Sequence, residues 1–123
     1  MDRDLILKML GKKDSVDLYD SIYNLRDMGN ELRRIIILNL FNKEELIKYK
    51  NELENIYNVI KPILDKVNDD SYIKGYTNSK KYLIKYIEDL CKSIDGIING
   101  IEIMNIKELT YHINILMDKV LIY

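Results

Sequence analysis

Along most of this chain apolar residues return at alternating steps of three and four, the spacing that lines one face of a helix. The run is clearest in Leu46, Tyr49, Leu53, Ile56, Ile60, Ile63 and Val67. Asn42 ahead of it is a favourable N-cap, and Glu44 and Glu45 put acids into the first turn, so a helix is predicted over about 43–68. Pro62 interrupts the backbone bonding there without shifting the phase of the stripe, which predicts a kink, with two shorter helices as the alternative. A second stripe, Leu83, Ile87, Leu90, Ile94, Ile97 and Ile101, predicts a helix over about 79–99. Gly96 and Gly100 mark either close helix packing or a fraying end, and Gly100 is the expected stop. A third, Ile106, Leu109, Ile113, Leu116, Val120 and Tyr123, predicts a helix over about 105–122, with Asn105 and Glu108 spaced as a capping box.

The first third of the chain is less regular. Asp4 to Leu10 reads as a short helical arm over about 1–11, closed by Gly11. After Lys12-Lys13-Asp14, with Asp14 or Ser15 as the expected N-cap, a helix over about 15–41 carries the stripe Leu18, Ile22, Leu25, Leu32 and Ile36. Asn68 to Ser79, with Asp69, Asp70, Gly75 and Asn78, reads as the connection between the second and third long helices. No segment keeps the alternation of a strand. Four long helices with short connections predict an all-α fold, an antiparallel left-handed four-helix bundle with a short N-terminal helical arm, as a single domain over 1–123.

Composition narrows the function classes. Nineteen Lys and Arg against twenty Asp and Glu leave no overall field that would draw the protein to nucleic acid or anionic lipid, so any such binding has to be local. No apolar run approaches the roughly 18 residues that span a bilayer, and the acidic start resembles no targeting segment, so a cytoplasmic protein without membrane contact is expected. The lone Cys91 falls on an apolar face and reads as a buried thiol in a reducing compartment. Ala, Gln and Trp are missing, whereas Ile, Lys, Asn and Tyr make up nearly half the chain. Because Ala is the best helix former, its absence reflects mutational pressure in an A/T-rich genome, such as a microbe or a virus or mobile element living in one.

The chemistry-bearing residues are sparse. His112 is the only histidine and has Glu108 one turn earlier, an arrangement that reads first as a surface pair beside the core and only second as a catalytic couple. The acids are scattered, no Gly-rich phosphate loop is present, and the paired Glu-x-x-His motifs of di-iron bundles are missing. The expectation is therefore no enzyme, no metal, no cofactor and no small-molecule substrate.

Two segments exceed what a bundle needs. In the run from Arg33 to Phe41, apolar residues occupy successive positions and cover every side of the helix. Either this helix end is fully wrapped, with the arm covering its second face, or Ile35, Ile37, Leu38, Leu40 and Phe41 form a protein interface. From Tyr72 to Tyr86 the chain carries four Lys and no acid, interleaved with tyrosines. Lys74, Tyr76, Lys80, Lys81, Tyr82 and Lys85 read first as a solvated helix face with tyrosines packed at the bundle edge, and second as a site for single-stranded nucleic acid or, equally, an acidic protein surface. The functional expectation is a non-catalytic interaction module, a small adaptor or inhibitor that self-associates as a homodimer and, if viral, acts on a host protein. The alternative is a nucleic-acid-associated protein using residues 72–86.

Overall fold

A computed structural model describes residues 2–40, 42–69 and 75–121. The described chain is all-α, with a short first helix and four long ones: α1 (Arg3–Leu10), α2 (Lys12–Ile37), α3 (Lys43–Asn68), α4 (Thr77–Glu102) and α5 (Ile106–Val120). Each long helix touches the next, and α2 closes the ring against α5. Cross-helix bonds fix the directions. Arg26 donates to the Val120 carbonyl at 2.7 Å and Arg33 to Asn114 Oδ1 at 3.0 Å, so advancing along α2 means retreating along α5. Asp89 with Lys119 and Gly100 with Leu109 set α4 against α5 in the same way. Asp14 with Lys66 and Lys50 with Glu102 pair the start of one helix with the end of the next across the α2/α3 and α3/α4 seams, so the long helices are antiparallel to both neighbours.

The heptad stripes form the core almost without exception. Every stripe residue of α4 is buried, as is every one of α3 except the half-buried Tyr49. Two positions depart from the pattern. On α2, Ile35 takes the buried site and Ile36 packs at its margin, because the last turns follow a face that also holds Met28 and Leu32. On α5 the first stripe residue, Ile106, is exposed at the bundle end, and the last, Tyr123, lies outside the described residues. The helix runs through Pro62 unbroken, which removes the two-helix alternative over 43–68.

Boundaries moved where capping chemistry overrode the expected signals. Asn42 and Asn105 accept hydrogen bonds from the backbone N–H groups of Glu44 and Glu108, as their spacing predicts. Asp14 and Ser15 are not caps. Gly11, in the left-handed region with φ 80°, joins α1 directly to α2, so α2 begins at Lys12 and both residues are buried in its first turns. There Asp14 meets the Lys66 amine at 3.0 Å and Ser15 lies 3.4 Å from the Ile6 carbonyl. Gly100 does not stop α4 either. It packs 3.1 Å from the Leu109 backbone, measured from where a Cβ would stand, and the helix ends two residues later. Close packing, the other meaning of those glycines, accounts for Gly96 as well: a methyl there would collide with the His112 ring.

Candidate interaction surface

The two turns at one end of the bundle are built alike. After α2, Leu40 N–H donates to the Ile35 carbonyl at 2.9 Å and Asn39 N–H to that of Ile36 at 3.2 Å, with Asn39 at φ 55°. After α4, Asn105 N–H donates to Gly100 at 3.1 Å and Met104 N–H to Ile101 at 3.2 Å, with Met104 at φ 51°. Both are Schellman closures, which satisfy carbonyls that a helix end otherwise leaves open. Their side chains are therefore displayed from a bonded turn and not from a frayed end. Those side chains are apolar: Ile37 is 79% exposed, and Leu38 and Leu40 are each more than half exposed.

The expected interface residues divide accordingly. Ile35 is in the core, Ile37, Leu38 and Leu40 are open to solvent, and Phe41 lies outside the described residues. The N-terminal arm does not cover them. It packs at the start of α2, where Ile6, Met9 and Leu10 join the core and the Arg3 guanidinium sits 4.7 Å from the centre of the Tyr19 ring. From Tyr19 to Ile37 the helix climbs roughly 27 Å at 1.5 Å per residue, beyond the reach of an eight-residue helix about 12 Å long. The stripes gave no warning that the α4–α5 turn would add Ile103, Met104 and Ile106 to the same end. Ile106 was absorbed into a stripe by its spacing, and Gly100 drew the helix stop away from Met104. The available signal was the count of apolar residues around Asn105, too many for one helix face.

The Lys/Tyr segment is less unified. Lys74 lies outside the described residues; Tyr76 is exposed at the N-terminus of α4 with φ 55°, and Lys81 and Tyr82 face solvent one turn on. Lys80 is half-buried and engaged, and Lys85 donates to Asp89 at 2.7 Å. Asp89 also takes Lys119 at 3.1 Å. Burial pushes the Asp89 carboxyl up, but the two lysine hydrogen bonds outweigh it and hold the group below its ordinary range. Tyr86 is buried and its hydroxyl donates to the Lys119 carbonyl at 3.2 Å.

The remaining reactive groups sit in structural settings. The His112 ring fills the niche left by Gly96, packs edge-on against Tyr111 with centroids 5.0 Å apart, and lies 3.4 Å from the Glu108 carboxylate. Burial pushes the Cys91 thiol up to about 11, so it remains protonated and unreactive near neutral pH. Among the described residues no three metal-ligating side chains come together, and no helix is long and apolar enough to cross a membrane. A groove of about 410 Å³ between α2 and α3 has Met28 and Ile56 at its floor and Asp27, Glu31 and Glu52 along its rim. Its floor residues are themselves buried, so it offers little apolar area to a ligand. Comparison of the chain with family models, with curated proteins and with solved structures finds no match.

Proposed function

We propose that this chain is a non-catalytic protein-interaction module, a small adaptor or inhibitor that engages its partner through the apolar end of the bundle. The observation that carries the reading is the exposure of Ile37, Leu38 and Leu40 on a hydrogen-bonded turn. Contiguous apolar surface of this kind costs solubility, and partner binding recovers that cost. A rigid turn also presents the surface already ordered, which lowers the entropy lost on docking. Capture from the native host tests the reading. A protein retained by the wild type and by Val59→Asp, a charge placed on the side of α3, should be lost from the Ile37→Asp/Leu40→Asp double variant. Equal retention by all three would overturn it. The nucleic-acid alternative has narrower support, since Tyr76, Lys81 and Tyr82 remain displayed while Lys85 is held by Asp89.

A further inference from the structure

We infer that the apolar end of the bundle pairs with the same end of a second copy of this chain, the two bundles meeting end to end about a two-fold axis. This rests on the interaction-module reading and names the partner. The surface is wider than the α2–α3 turn. Arg33 reaches Asn114 across the α2/α5 seam, and Ile37 follows one turn later, which places it on the α5 side, toward the exposed Ile106 at the start of α5. On the other flank Lys50 reaches Glu102 at 3.1 Å across the α3/α4 seam. Ile47, one turn before Lys50 and exposed, therefore lies toward the end of α4, where Ile103 and Met104 are also open. Exposed apolar side chains thus stand on both turns and on the helix starts beside them, from 39% exposed at Met104 to 79% at Ile37.

Area and charge point to a second copy. Taking an aliphatic side chain as somewhat smaller than the roughly 150 Å² of the smallest aromatic, the exposed parts of these residues come to on the order of 500 Å². That is the upper end for a lone monomer, and it approaches the roughly 800 Å² per partner of a stable interface once a polar rim is added. The rim carries both signs at each helix start: Lys43 beside Glu44 and Glu45 on α3, and Lys107 beside Glu108 on α5, all exposed. A two-fold contact sets each patch against itself, so a rim that carries both signs can place the cation of one copy by an acid of the other. An anionic lipid surface would instead favour an excess of cations, which this rim lacks.

Sedimentation velocity on the full chain, from low to high micromolar concentration, tests the pairing together with small-angle scattering. The expected result is a dimer elongated along the bundle axis. Ile37→Asp and Ile103→Asp, one on each turn, should each weaken it by about tenfold or more, and Val59→Asp should leave it intact. Helicity measured by circular dichroism verifies that the variants fold, with Ile106→Asp replacing either one that does not. A dimer that survives Ile103→Asp, or a monomer at every concentration, overturns the pairing. If the monomer still captures a host protein that Ile37→Asp/Leu40→Asp loses, only the pairing falls; if capture is also unchanged, the interaction-module reading falls with it.

Discussion

The two ends of this bundle are made from the same helices and finished in opposite ways. At the end where α2 starts, α1 folds over and adds Ile6, Met9 and Leu10 to the core. Asp14 with Lys66 adds a polar bond there, while part-way along the bundle Asp89 with Lys85 and Lys119, Tyr86 with the Lys119 carbonyl and Arg26 with the Val120 carbonyl fasten the end of the shorter α5. At the opposite end two turns are bonded internally, yet among the described residues no element covers Ile37, Leu38, Leu40, Ile103, Met104 and Ile106. Amphipathic patterning builds both ends equally well. What differs is whether the chain supplies its own lid: at the covered end Leu7, Val16, Tyr76 and Tyr82 are still exposed around α1, whereas at the other end the exposed apolar residues stand on the two bonded turns themselves.

The largest effect should come from cutting the same kind of side chain at the two ends. Leu10→Ala removes a buried contact of the lid and is expected to cost about 2 to 5 kcal/mol, whereas Ile37→Ala should change the stability of the monomer by less than about 0.5 kcal/mol. Urea unfolding at low protein concentration measures both, and equal costs would erase the distinction between the ends. Next is the approach of α5 to α4. Gly96→Ala pushes a methyl into the His112 ring and should cost about 1 kcal/mol or more. In the His112→Ala background the same change should become neutral or stabilising, since helix propensity alone favours Ala over Gly by about 1 kcal/mol.

Met104→Gly separates stability from association. The left-handed conformation costs an L residue roughly 1 kcal/mol, so glycine should raise the unfolding midpoint while weakening self-association by trimming the patch. The smallest effect concerns pH at the Asp89 cluster, half-way along α4. Because the Asp89 carboxyl titrates below its ordinary value in the folded chain, its contribution is present above about pH 4 and lost as pH falls through the folded value. The stability difference between wild type and Asp89→Asn should therefore shrink on acidification. A difference that stays constant from neutral to strongly acidic pH would rule out the lysine bonds as its source.

Most of the architecture was legible in the chain, because a stripe such as Leu83 to Ile101 has one physical solution, burial against other stripes. The helix ends were harder to read. Gly100 is the residue most suited to a left-handed stop, yet its lack of a side chain is used to admit Leu109, and Met104 takes the strained position. Asp14 and Ser15 resemble caps, but direct linkage through Gly11 moves the start of α2 ahead of them. The surplus of apolar residues after Arg34 was visible from composition along the helix. That the arm would lie at the opposite end, and that a second apolar turn would join the first, depends on contacts between distant segments that no local spacing records.

The most direct test of the difference between the two ends is a dilution series of methyl-resolved NMR spectra of the full chain. Signals from Ile37, Leu38, Leu40, Ile103, Met104 and Ile106 should shift together with concentration, while those of Ile6, Met9, Leu10 and Val59 stay fixed. Shifts centred on the α1 end or on the side of α3, or no concentration dependence at all, would contradict an uncovered end that seeks a second copy.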